Sequence, residues 1–172
     1  MTTIVRATET DSQLLARIGR TTFIESHGIS AAASDINCYV NENYNEQVIR
    51  KELCDRANIY HIIYHYTQPA GYSKVILNSP FSGIPPVEVT KLERLYLLKE
   101  YYHLQLGLAL LKFNIELSKK EGQYGMWLFV WMENHRAINF YTKNGFKIIG
   151  SRDFKITDNH SNPNHLMFLE YC

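Results

Sequence analysis

The chain has 172 residues, 45% hydrophobic and 20% charged, with a net charge of +1 at pH 7. That is enough chain for a substantial core in one domain; the near-neutral balance excludes a strongly acidic surface that gathers polycations and counts against a nucleic-acid field. No apolar run approaches the roughly 20 residues of a membrane helix, and the N-terminal MTTIVRATETD lacks the apolar core of a signal peptide. Cys38, Cys54 and Cys172 are odd in number and match no metal spacing. They read as reduced thiols, and the expectation is a cytoplasmic protein of one domain, 1–172, with no metal, membrane or nucleic-acid partner.

In chain order, Thr3–Ala7 can form a first strand. ATETDSQ starts a helix, with Thr10 as N-cap, Asp11 in the first turn and Gln13 completing a capping box. Leu14, Leu15, Ile18 and Thr22 follow at helical spacing, and the helix ends between Phe23 and Gly28. The small and polar residues 28–40 read as a loop or a short helix. Asn45–Cys54 is a second helix with Val48, Ile49 and Leu53 as its apolar side. Asn58–Tyr66 (NIYHIIYHY) and Gly71–Leu77 (GYSKVIL) make a hairpin turned at Thr67–Ala70 with the help of Pro69. The proline-rich Asn78–Pro86 is a loop too short to link domains. After the central stretch come strands near Phe146–Ile156 and His165–Glu170, with TDNHSNPN between them as a turn-rich loop.

The chain is organised around Leu92–Phe146, which reads strand, tight turn, helix, strand, helix: LERLYLL, KEYYHL, QLGLALLKFNIELSKK, GMWLFVWM, ENHRAINFYTKNGF. A helix starting near Gln105, straight after a strand, aims its free N–H groups and positive dipole end at the strand's end, which suits a phosphate. Asn134, Ala137 and Tyr141 are spaced i, i+3, i+7 and share one helix face. The small Ala between two polar groups leaves room for a thin ligand chain. Asn134 is equally a good N-cap, and Tyr141 equally a packing residue. Helix 105–119 carries two apolar stripes, Leu106, Leu110, Phe113 and Leu117 against Leu104, Leu108, Leu111 and Ile115. One packs on the sheet; the other is covered by the rest of the chain or by a second copy in a homodimer. Trp127 and Trp131 on one side of their strand, with Leu128, Val130 and Met132 on the other, mark a central core strand.

LERLYLLKEYYHLQLGLALL together with WLFVWMENHRAINFYTKNGF resembles the GNAT superfamily of N-acetyltransferases, the second motif (N-x-x-A-I-x-F-Y-x-K-x-G-F) being the more specific. GFKIIGSRDFKI and ELCDRANIYHIIYHYTQPAGYSKV resemble more particularly the PaiA-type polyamine acetyltransferases. The resemblance implies an α/β fold with a mixed, mostly antiparallel central sheet, a splayed parallel strand pair and flanking helices. It implies acetyl-CoA as acetyl donor, lying in the splay. Leu95, Tyr96 and Leu97 would serve the pantetheine arm, with oxyanion stabilisation near Leu97. Tyr102, His103, Leu104, Gln105, Gly107 and Leu108 would serve the pyrophosphate. Asn134, Ala137, Tyr141 and Lys143 would line the rest of the cofactor.

The same resemblance makes Tyr141 the proton donor to the departing thiolate and Glu93 the base for the acceptor amine. As a plain strand residue, Glu93 would instead pair with Arg94 or Lys91. Glu88, Glu25 and His27 are the other base candidates; Asp35 and Glu42 could add acidic character for a cationic amine. The family's phosphate turn reads Q/R-x-x-G-x-G/A. Here Tyr102 replaces the polar or cationic residue and Gln105 replaces a glycine, so only Gly107 is retained. The implied reaction is direct acetyl transfer to a primary amine, a small molecule such as a polyamine. The alternatives are a protein or peptide acceptor, or a CoA-binding regulatory or interaction protein without turnover.

Overall fold

A computed structural model describes residues 1–84 and 87–171. Pro85 and Pro86 of the proline-rich loop, and Cys172, lie outside the described residues. The chain divides into two compact units, Met1–Val75 with Arg94–Asn114, and Ile76–Glu93 with Ile115–Cys172.

The first unit opens with strand β1 (Thr2–Arg6), a one-turn 3-10 helix at Glu9–Asp11 and helix α1 (Ser12–His27). The cap differs from the expected Thr10–Gln13 box. Thr8 is the N-cap, and the Asp11 carboxylate accepts from its backbone N–H at 2.8 Å. The extra 3-10 turn moves the start forward, so Thr10 lies inside it. Helices α2 (Ala33–Asn43) and α3 (Glu46–Cys54) follow; Asn45 caps α3 by accepting from the Val48 N–H at 3.0 Å. Strands β2 (Asn58–His65) and β3 (Gln68–Ile76) form the hairpin. Its turn is Tyr66–Thr67, not Thr67–Ala70: Tyr66 takes the left-handed conformation at φ 53°, and Pro69 lies inside β3. Proline is tolerated near the start of a strand, so it signalled a turn that lies two residues earlier. The unit's strands run in the order β1, β2, β3, then the second half of β4 (Val89–Leu97).

Period-two alternation gives β2 two buried faces. Tyr60 and Ile62 join Leu15, Ile18, Ile49 and Tyr72 in one cluster. Ile63 joins Ala70, Leu97, Leu106 and Leu110 in another. The last two belong to helix α4 (Leu106–Lys120), whose buried face is Leu106, Leu110, Leu111, Asn114 and Ser118. This corrects the two-stripe expectation: Phe113 is turned outward, and two polar residues replace apolar ones on the inner face. They are satisfied there, Asn114 accepting from Ser73 at 3.3 Å and Ser118 sharing a 2.6 Å hydrogen bond with Thr90.

The second unit holds the first half of β4, then β5 (Gly125–Trp131), β7 (His160–Glu170) and β6 (Lys147–Thr157), with helix α5 (His135–Lys143) after β5. β4 and β5 are parallel and pair only from Val89↔Gly125 to Lys91↔Trp127; β4 then runs on for six residues. β5–β7 and β6–β7 are antiparallel. Trp127 is core as expected, packed with Val89, Ile84 and Leu166, its indole N–H donating to the Ser79 carbonyl at 2.7 Å. The stretch expected as a loop, TDNHSNPN, is mostly strand, with only Asp158–Asn159 turning. Pro163 lies just past the last β5 strand pair, Trp131↔Asn164, and its carbonyl accepts from Met132 N–H at 3.0 Å. The expected fold class, a mixed and mostly antiparallel α/β arrangement with one parallel pair, is borne out.

Candidate active site

In the first unit, the candidate residues sit on the end of β4 and the turn beyond it. Leu98 N–H donates to Ala70 O of β3 at 2.9 Å. Strand N–H groups alternate in direction, so those of Leu97 and Leu95 point away from β3, along an edge that has no β5 partner after Lys91. β3 approaches this part of β4 closely because residue 71 is glycine: a Cβ there would lie 2.3 Å from Tyr96 O.

The chain then makes a 3-10 turn over Lys99–Leu104. The Glu25 carboxylate of α1 accepts from the Lys99 N–H at 3.0 Å and so ties the start of the turn. Gln105 adopts φ 56°, ψ 16°, and its carbonyl accepts from Leu108 N–H and Ala109 N–H at 3.1 and 3.2 Å. Helix α4 begins at the next residue, where helix geometry leaves the earliest N–H groups without intrahelical acceptors. Tyr101, Tyr102 and Leu104 pack on the cluster of Leu97, Leu106 and Leu110. Tyr102 therefore serves as an apolar anchor under the turn. His103 is exposed, while Gly107 and Leu108 are half-buried on the first turn of α4.

Behind this strand end lies an aromatic cluster. Phe23 stacks on His27 and on Tyr39 at 4.7 Å and meets Tyr44 at 5.5 Å; the His27 ring stands edge-on to Tyr96 at 6.2 Å. Burial lowers the His27 pKa to about 4, so its imidazole is neutral at physiological pH. Glu52 collects Arg94 at 3.1 Å, Lys74 at 3.2 Å and the Tyr60 hydroxyl, and the Arg94 guanidinium lies over the Tyr44 ring at 4.9 Å. Sequence reading missed this network. It offered Arg94 or Lys91 as a partner for Glu93; neighbouring strand residues point to opposite faces, which forbids the Arg94 pair.

In the second unit, Lys91 and Glu93 share a face of β4 and pair, Nζ to Oε2, at 2.5 Å, with the ammonium 5.1 Å from the Trp127 ring centre. Asn134 is the N-cap of α5, its Oδ1 accepting from the Ala137 N–H at 3.1 Å. Ala137 is half-buried and Tyr141 buried on the same helix face, while Lys143 is exposed. Tyr141 lies edge-on to Phe140 and Phe146, and burial pushes its phenol well above the usual range. It therefore carries its proton at any physiological pH. Among the described residues, no group of His, Cys, Asp and Glu is arranged to hold a metal, and no helix is long and apolar enough to cross a membrane.

A family-wide pattern described as the Acetyltransferase (GNAT) family matches residues 28–146. An uncharacterized N-acetyltransferase from Lactobacillus delbrueckii subsp. lactis is 26% identical over 155 residues, 90% of each chain. The spermidine N(1)-acetyltransferase of Thermoplasma acidophilum is 41% identical over 58 residues, 34% of this chain and 36% of that one. In three dimensions, the chain is similar to the crystal structure of the PaiA N-acetyltransferase from Thermoplasma acidophilum in complex with coenzyme A. The TM-score is 0.79 at 21% identity, covering 99% of both chains.

Proposed function

The chain belongs to the acetyltransferase (GNAT) family, and from that premise we propose that it transfers the acetyl group of acetyl-CoA directly to a primary amine of the polyamine class. The observation that carries the proposal is the run from β4 through the 3-10 turn into α4. It offers an unpaired strand edge at Leu95 and Leu97 and, straight after it, a helix N-terminus. A pantetheine arm can pair with the edge as a strand would, and a pyrophosphate suits the helix start. Gln105, which stands where the family has glycine, takes the left-handed conformation itself.

In this reading Tyr96, His103, Leu104, Gly107 and Leu108 complete the donor's surroundings in the first unit. Asn134, Ala137 and Lys143 of the second are the residues that the family resemblance assigns to the donor. Glu93 takes the proton of the acceptor ammonium, the amine attacks the thioester carbon, and the N–H near Leu97 donates to the oxyanion. Tyr141, protonated and buried, gives its proton to the departing thiolate. The acceptor class is supported by the first unit's helix α2, which carries Asp35 and Glu42 and no lysine or arginine. The spermidine acetyltransferase among the relatives points the same way.

The first test is thermal stability with and without acetyl-CoA. Saturation at 100 times the dissociation constant adds about 2.7 kcal/mol, a shift of roughly 5–10 °C for a chain of this length. Release of free CoA is then followed with spermidine, spermine and an N-terminal peptide. No shift at millimolar acetyl-CoA refutes the donor site. A shift with turnover of the peptide alone refutes the polyamine acceptor.

A further inference from the structure

Strand β6 ends the sheet and belongs wholly to the second unit; its pairing is with β7 on one side. It is 11 residues long, contains no proline, and its first nine residues, Lys147–Lys155, are exposed. A long edge of this kind offers a row of backbone N–H and C=O groups to another strand. The register against β7 shifts at Ile149 and again at Ile156, and between them Gly150–Lys155 runs as a regular ladder from Leu166 to Ser161. The β5–β7 pairing ends at Trp131↔Asn164, so from Phe154 onward β6 and β7 form a two-stranded ribbon, which is marginal by itself.

The order of charges in the regular stretch is self-complementary. Asp153 and Lys155 flank Phe154 and share one strand face. Two copies of a strand that pair antiparallel about a two-fold axis bring one residue opposite its own equivalent. With the axis at Phe154, Asp153 of each copy stands opposite Lys155 of the other, so two ion pairs flank the axis. Moving the axis one residue either way, to Asp153 or to Lys155, sets like charges against each other, so the charges specify the register. Lys155 pairs with Asp158 at 2.5 Å, but the two side chains are 66% and 90% exposed, where such a pair holds weakly and a second carboxylate can compete. We propose that β6 is an interface between two copies of this chain, joined antiparallel about Phe154 so that the sheet continues from one protomer into its partner. The contact is isologous, and it gives each two-stranded ribbon the further strands it lacks.

The test is sedimentation equilibrium of the full chain from low micromolar to submillimolar concentration, with a dimer expected. Asp153→Lys sets lysine against lysine at both pairs, and Lys155→Asp sets carboxylate against carboxylate. Each should weaken the dimer roughly thirtyfold or more. An equimolar mixture of the two variants restores both ion pairs with their signs exchanged, so a heterodimer of near-original affinity should form. A protein that stays monomeric throughout overturns the proposal. So does a dimer that neither reversal weakens, which would place the contact elsewhere, or a mixture no tighter than the separate variants. Amide hydrogen exchange of the unaltered protein gives a reading that needs no variant. The amides from Ser151 to Thr157 should gain protection as concentration rises, while those of α4 stay unchanged; β6 exchange that does not depend on concentration overturns the proposal as well.

Discussion

His61 should make the stability of this protein depend on pH. It lies on the face of β2 turned toward α4, is 6% exposed, has no hydrogen-bond partner at Nδ1, and meets the Phe113 ring edge-on at 4.7 Å. Its cross-strand neighbour is Arg6. Burial first, and the Arg6 charge second, lower its pKa from 6.5 to about 4. The folded protein thus keeps the ring neutral where the unfolded chain would protonate it. Stability contributed by the neutral ring is complete above pH 6.5 and is lost as pH falls from there toward 4. For one such group the loss is about 0.8 kcal/mol at pH 6 and about 2 kcal/mol at pH 5, against a total stability of about 5–15 kcal/mol. His27, also lowered to about 4, adds a similar loss over the same window. The two are separated by His61→Leu, which removes the titrating group and the unpaired nitrogen together. Urea unfolding from about pH 7.5 to about pH 5 should show the variant about 1 kcal/mol more stable at neutral pH, with half of the acid loss gone. An identical pH slope in the two proteins would refute the burial argument.

Four further outcomes follow from single side chains. Gly71→Ala places a Cβ 2.3 Å from Tyr96 O, so β4 must move. Stability should fall by about 1–3 kcal/mol, and the KM for acetyl-CoA should rise in steady-state kinetics. Gln105→Gly relieves the left-handed backbone, worth about 1–2 kcal/mol, but frees the unfolded chain by about 0.5–1; a net gain up to about 1.5 kcal/mol is expected in urea unfolding, with tighter acetyl-CoA binding by calorimetry. Asn134→Ala removes the cap bond to Ala137 N–H and should cost about 1 kcal/mol in thermal unfolding, together with acetyl-CoA affinity. Tyr141→Phe keeps the packing on Phe146 and removes the proton, so kcat should fall about a hundredfold or more with little change in melting temperature.

Local pattern and tertiary context can be told apart residue by residue. The β4–turn–α4 and β5–α5 units were legible because apolar periodicity, the cap at Asn134 and the Asn134–Ala137–Tyr141 spacing are properties of short stretches. The same local rules failed where a signal has two meanings. Pro69 and Pro163 announce turns but sit inside strands, each near the strand's first residues. Thr8 and Thr10 are both fit to cap, and only the added 3-10 turn chooses Thr8. Phe113 and Asn114 differ by one position on α4, and sequence alone counted only the phenylalanine in an apolar stripe; β3 supplied Ser73 to satisfy the asparagine, which makes burying it tolerable.

The sequence by itself therefore determined the order of the elements, the family motif and the residues placed along it, because these depend on spacing within about ten residues. Only the tertiary structure decided which charges meet. Glu52, Lys74 and Arg94 come from three separate elements, so no spacing rule could join them. Lys91 was one of two candidate partners for Glu93, and strand geometry chose it by putting Arg94 on the opposite face. The chain's 12 tyrosines gain part of their meaning in the same way. Tyr39, Tyr44, Tyr60, Tyr72 and Tyr96 are scattered along the chain and become one aromatic wall only when α1, α2 and three strands pack together.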